Sequence, residues 1–255
     1  MFEETEEVSR QLYSSCIYFD IVAVLIWIAS VNVNYHWRAS LFMAIGFIVY
    51  YLVDAVFWME ILKIRIIDSS INPWLLQIWL QLGPGVIHPS WVCLMIEGTF
   101  GTKEMREKIN RTFWTFFFFM VQFCPAFFQL SYHTDDLITV SRTMSSQRGF
   151  FILFGCLGYM YLCYQRVSLR DILKLLAIGT TAEGFFEFSL YLSGIRQQSL
   201  RTVLFDSLIE FNVGMPYIVI IWILMIKRDQ RNDLNFESGA FTQPICSFIS
   251  KNKLL

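Results

Sequence analysis

Residues 12–33 read LYSSCIYFDIVAVLIWIASVNV, a stretch with one acid, Asp20, and no base. At about 1.5 Å per helical residue it is long enough to cross the ~30 Å hydrocarbon core of a bilayer. Working outward, six more apolar runs follow, at residues 39–62, 73–96, 113–132, 150–164, 172–193 and 203–226. Backbone groups in lipid must bond within their own segment, so such runs read as helices, and the weaker alternation of a barrel is not visible. The pattern predicts an all-α, polytopic integral membrane protein. It is a seven-helix transmembrane bundle forming one domain over residues 1–255, with residues 227–255 as its tail.

Composition points the same way. The chain is 55% hydrophobic and 16% charged, against about 25% charged for a soluble domain. A net charge of −1 leaves no basic field with which to bind nucleic acid. Cys16, Cys93, Cys124, Cys156, Cys163 and Cys246 form no Cys-x-x-Cys pair and read as small buried residues, not as a disulfide or metal framework. The acidic start, MFEETEEVSR, lacks the basic region of a cleaved signal, so the first run is expected to act as its own insertion signal. The Phe116–Phe119 run reads as lipid-facing bulk. The third run is broken by Gly83-Pro84-Gly85 and Pro89. That break marks either a kink lined by protein or a cavity, or a re-entrant or interfacial segment.

Basic residues in the short loops set the orientation. Arg38, Lys103, Arg106, Lys108, Arg111, Arg166, Arg170, Lys227, Arg228 and Arg231 fall on one side, and Arg10, Lys63, Arg65, Arg142, Arg148, Arg196 and Arg201 on the other. The majority side is expected to be cytosolic, which places the N-terminus outside and the C-terminus inside. The chain ends Lys251-Asn252-Lys253-Leu254-Leu255. Lys251 and Lys253 resemble the dilysine retrieval signal of endoplasmic reticulum membrane proteins, an address read on cytosolic tails. That implies a multi-pass protein of that membrane with a lumenal N-terminus.

The acids inside apolar runs are the informative residues: Asp20, Asp54, Glu60, Glu97, Glu183, Glu187, Asp206 and Glu210. Burying one ionised in hydrocarbon costs at least ~2.5 kcal/mol, so each must face protein or water, sit at the interface, or be protonated. Glu183 and Glu187 share a helix face, as do Asp206 and Glu210. Carboxyls held so close and so dry favour retention of a proton, which suits a general acid. Asp54 lies about 120° around the helix from Glu60 and forms no pair with it. Asn212, Gly214, Pro216 and Tyr217 follow Glu210 directly and make this the most polar patch of any run. The alternative is structural, with the acids pairing with Asn, Ser, Tyr or Trp donors to hold helices together. His36, His88 and His133 each fall near a loop or a predicted helix end, which disfavours a three-histidine metal site. No Gly-x-Ser-x-Gly elbow, Walker motif or seventh-helix lysine is present.

The size, the span count and these acids resemble the membrane-integral terpene cyclases of fungal meroterpenoid and indole-diterpene pathways. That family's second helix carries Asn-x-x-Trp-Glu, where this chain has Trp58-Met59-Glu60, with a Met inserted and no Asn. Its last helix carries an acid followed by small and aromatic residues, here Glu210, Gly214 and Tyr217. A fainter likeness, through Ile96-Glu97-Gly98 and Asn212 with Pro216, is to the emopamil-binding sterol isomerases, whose catalytic histidine is replaced here by Cys93. The resemblances imply acid-initiated cyclisation or isomerisation of a lipid-soluble isoprenoid or sterol-like substrate, without a cofactor or a metal. Glu60 and Glu210 would be the catalytic acids, Asp206 would tune Glu210, and Trp58, Tyr217, Asn212, Glu183 and Glu187 would line the pocket. Membrane lipids and the substrate are the expected partners, and the sequence names no protein partner. A proton- or cation-coupled transporter and a non-enzymatic membrane factor remain the alternatives.

Overall fold

A computed structural model describes residues 6–34, 36–132, 136–144, 147–196 and 200–233. The molecule is mostly helical, and each of the seven apolar runs falls on helix. The elements in order are β1 (Glu6–Tyr13), α1 (Cys16–Val33), α2 (Trp37–Tyr51), β2 (Arg65–Asp68), α3 (Pro73–Leu80), α4 (His88–Phe100), α5 (Lys103–Lys108), α6 (Arg111–Ser131), β3 (Leu137–Met144), α7 (Gln147–Tyr164), α8 (Leu169–Leu192) and α9 (Leu200–Asp233). Helix α2 continues as a π-helix over Leu52–Ile61, and α3 is joined to α4 by a π-helical stretch, Leu82–Ile87. Side-chain caps fix the helix starts: Asn72 accepts from the Trp74 amide, Asn110 from Phe113 and Ser168 from Asp171.

Among the described residues, three segments are long and apolar enough to cross a membrane: Cys16–Val33, Trp37–Ile61 and Val203–Ile226. They present large apolar side chains outward, such as Val22, Leu25, Ile26, Ile48, Leu52 and Leu208. A surface of that kind fits a bilayer as its solvent. Helix α9 runs seven residues past the expected end of the last span, through Asp233. Lys251, Lys253, Cys246 and His133 lie outside the described residues.

The broken third run proves to be the axis of the bundle. Gly85 through Gly98 are all buried, and α4 packs against α2, α6, α8 and α9. A helix buried around its whole circumference shows no amphipathic stripe, whereas α3, the first part of the same run, leaves Trp74, Leu75 and Ile78 exposed. The π-helical stretch lets the chain bend at Gly83-Pro84-Gly85, where a Cβ on Gly85 would sit 2.9 Å from the Phe47 Cα. A Cβ on Gly46 would lie 2.3 Å from the Gly85 carbonyl oxygen. Trp27 donates from Nε1 to Ser90 Oγ at 2.8 Å, tying α1 to the same axis.

An antiparallel three-stranded sheet, in the order β1-β3-β2, corrects the all-α expectation. It takes Leu12 and Tyr13 out of the first predicted span and into β1. Cross-strand partners Leu12↔Ile138, Arg10↔Val140, Val8↔Arg142, Arg65↔Arg142 and Ile67↔Val140 share one face, because side chains alternate along a strand. That face is buried where described at Leu12, Ile138, Val140, Arg65 and Arg142, so the sheet caps one end of the bundle. At the other end Arg38 donates to Glu97 at 2.9 Å and Lys174 lies over the Phe100 ring. Arg10, Arg65, Arg142 and Arg196 gather at the sheet end.

Replacing Gly46 with Ala is expected to lower the thermal stability of the detergent-solubilised protein by about 1–3 kcal/mol, since the added methyl meets backbone. Ala44→Leu, on the exposed face of the same helix, should change it little.

Candidate functional site: arginines and carboxyls beneath the sheet

The sheet and the bend after α8 deliver four guanidiniums to acids on the helices. Arg65, on β2, donates to Asp54 Oδ2 at 2.5 Å, and the same oxygen accepts from Gln81 Nε2 at 2.7 Å. Asp54 sits in the π-helical end of α2, and Gln81 precedes the π-helical stretch before α4. Arg142, on β3, donates to Glu210 Oε1 at 2.6 Å and lies over the Trp58 ring, 4.3 Å from its centroid. Arg196 donates to Glu187 and lies 3.4 Å from Asp206 Oδ2; the Arg196 and Glu187 side chains are both fully buried. Arg10, on β1, is 3.8 Å from Glu187 and stacks on Phe186.

Local backbone geometry explains how Arg196 arrives. Gly194 takes φ +71°, the left-handed turn that ends a helix and disfavours a side chain. The chain then turns alongside β1, with the Gln11 amide donating to the Ile195 carbonyl at 2.9 Å. Burial and the nearby Arg196 lower the Arg10 pKa, against the upward pull of Glu187. Burial also works to lower that of Arg142, but Glu210 and Asp54 outweigh it and raise it.

Glu183 differs from its neighbours. It is buried, and among the described residues its near polar neighbour is His88, with Nδ1 3.6 Å from Glu183 Oε2. That is longer than a hydrogen bond, and neither ring nitrogen of the fully buried His88 has a hydrogen-bond partner among the described residues. His88 sits at the start of α4 among Phe118, Phe186 and Phe211, with ring centroids 5.5, 5.3 and 5.8 Å away. Carboxylate oxygens of Glu183, Glu187 and Glu210 lie within 4.8 Å of one another. Three such oxygens and an imidazole nitrogen could ligate a cation, but guanidiniums already neutralise two of the three carboxylates.

The structure thus brings together four of the sequence-derived site residues, Glu183, Glu187, Asp206 and Glu210, with Trp58 against the arginine that serves Glu210. Glu60 is exposed on the π-helical end of α2 and does not join them. Tyr217 faces α7, donating to the Phe154 carbonyl at 2.8 Å and stacking on that ring. Asn212 donates to Thr180 and to the Leu208 carbonyl, knitting α8 to α9 as interhelical glue does. Glu97 belongs to the ion pair at the far end. Asp20 accepts from Trp79 Nε1 at 3.0 Å.

Sequence reasoning missed the arginines and His88. The alternation of Arg10 with Leu12, and of Arg142 with Ile138 and Val140, was the available signal for inward-facing basic side chains. It was masked because these stretches read as loops between spans. His88 lies within the broken third run and not at a loop.

A cavity adjoins the network between α1, α3, α6 and α8, under β1, with Arg10, Asp20, Trp79, Gln122, Phe186 and Ser189 among its lining. It offers about 60 Å³ to the centre of a water molecule, room for roughly four waters. No protein-family profile, curated protein or solved structure matches this chain significantly.

Arg196→Met should destabilise the fold by about 3–5 kcal/mol, because it strands Glu187 and Asp206 in the interior. Adding Glu187→Gln should recover a measurable part of that loss in thermal denaturation. Strict additivity of the two changes would show that the pair is not coupled.

Proposed function

We propose that this chain is a seven-span protein of the endoplasmic reticulum membrane, with a lumenal N-terminus and a cytosolic C-terminus, that performs acid–base chemistry on a lipid-soluble isoprenoid or sterol-like substrate. Support for the span count comes from the seven runs, which alternate between the sheet end and the Arg38–Glu97 end. The observation that carries the chemistry is the Glu183–His88 contact, a carboxyl and an imidazole buried together with no guanidinium paired to that carboxyl. Between them they can hold one proton, as imidazolium with carboxylate or as imidazole with carboxylic acid. Glu210 and Glu187, by contrast, are paired with Arg142 and Arg196, an arrangement that suits charge stabilisation better than proton donation.

In this reading the pair donates its proton to one carbon of a substrate alkene, leaving a cation on its neighbour. The faces of Phe118, Phe186 and Phe211 stabilise that cation, as do the arginine-paired carboxyls of Glu187 and Glu210. Loss of a proton from another carbon back to the pair completes an isomerisation or a cyclisation with no net change in atoms or electrons. Glu60 has no part in this scheme, and Asp206 acts through Arg196.

Product profiling of microsomes expressing the chain, with a panel of isoprenoids and ring-unsaturated sterols, tests this directly. A new product should fall at least about 100-fold, the usual worth of a general acid, in Glu183→Gln and in His88→Phe at unchanged protein level. Glu60→Gln should leave it intact. Activity that survives Glu183→Gln would remove the proposed acid.

The carboxylate group formed by Glu183, Glu187 and Glu210 favours one other reading, coupling of a proton or cation to transport. It predicts Glu183-dependent proton or cation flux in liposomes and no product from any substrate.

A further inference from the structure

The cavity under β1 contains polar groups that the network does not use. Gln122, on α6, is more than nine-tenths buried, and its Nε2 has no hydrogen-bond partner. A buried amide donor left unpaired costs about 1–3 kcal/mol, so its presence in an apolar bundle calls for a partner. Asp20, on α1, lines the same space and presents carboxylate acceptors, with Oδ2 already receiving Trp79 Nε1. Val24, Ile87, Val121 and Ala126 supply the apolar remainder.

Exposure along the lining gives the cavity a direction. Gln122, Val24 and Ile87 are buried, whereas Asp20, Ala23, Leu80, Gly83 and Pro84 are partly exposed. One opening therefore lies between α1 and the α3 bend, beside the apolar exterior of α1, while Arg10 and Phe186, also partly exposed, line the opposite side. An acid at such a mouth is costly unless it meets a polar partner there.

We infer that this cavity is a subsite for the hydroxyl group of a lipid alcohol. A hydroxyl is the small neutral group that both donates, as Asp20 requires, and accepts, as Gln122 Nε2 requires. A carbonyl or an ether only accepts, and a carboxylate would meet Asp20 as a like charge. The volume admits the hydroxyl and its first carbons, and the rest of the ligand lies along the wall of α1. Phe186 lines the cavity and also touches His88, so a ligand seated here lies one ring away from the Glu183–His88 pair. This subsite deepens, and rests on, the reading of the protein as acting on lipid-soluble substrates.

The test is equilibrium binding to the full chain in nanodiscs, with three probes of one carbon skeleton: farnesol, farnesene and farnesoic acid. Farnesol should bind about five- to tenfold more tightly than farnesene, the worth of one or two neutral hydrogen bonds. Gln122→Leu and Asp20→Leu should each reduce that preference, and Gln122→Leu should raise the thermal stability of the ligand-free protein by removing an unpaired donor. Equal binding of farnesol and farnesene to the wild-type chain would overturn the inference and leave a water-filled cavity. Preference for farnesoic acid would overturn it in favour of an anion site at Arg10. Farnesol binding without any turnover would sustain the subsite while removing the catalytic reading. Turnover of substrates lacking a hydroxyl, with no alcohol preference in binding, would do the reverse.

Discussion

The bundle depends on one constraint: a carboxylate cannot enter an apolar interior without a cation or a proton. Glu187 meets that constraint through Arg196, both side chains being inaccessible to solvent. The same guanidinium reaches Asp206 on the next helix. Helices α8 and α9 are thereby joined at the level where Arg142 holds Glu210. Replacing one member of such a set with an apolar residue strands the others, so the acids, the arginines and the segments that carry the arginines act as one unit.

The sheet follows from this requirement. A period of two puts Arg10 and Leu12 on one face, opposite Ile138 and Val140 and beside Arg142. The apolar members seat the sheet on the bundle, and the basic members reach past them to the acids. A shift of one residue in register would turn Arg10 and Arg142 outward and expose the apolar seat at the same time, so register is doubly specified. The π-helical end of α2 and the bend before α4 complete the arrangement, presenting Asp54 and Gln81 to Arg65. Departures from α-helical geometry cluster at functional sites often enough to make these two segments informative.

Neutralisation also sorts the acids by role. Glu187, Asp206 and Glu210 face guanidiniums, while Glu183 faces an imidazole, a partner that can itself gain or lose a proton. Identical residue types on adjacent turns of one helix, Glu183 and Glu187, thus acquire different chemistry from their neighbours across the bundle. Gly179 serves the same assembly in another way, since a Cβ there would lie 2.1 Å from Asn212 Oδ1.

The helical character of the apolar runs was legible in the sequence, though not their bounds, because hydrophobic runs of bilayer length leave the backbone little choice but to bond internally. The polar patch around Asp206 and Glu210 was legible too, because charge within such a run stands out against its surroundings. The sheet was not, because residues 6–13 and 137–144 become strands only by pairing with each other across more than a hundred residues. Nor could spacing along one helix reveal that Glu60 stays outside while Glu183 faces His88, since those positions depend on how α4 threads the centre of the bundle. The sequence by itself determined which segments are apolar helix and which acids lie within them. Only the tertiary structure decided which cation each acid meets, because pairing across elements is set by packing and strand register and not by local composition.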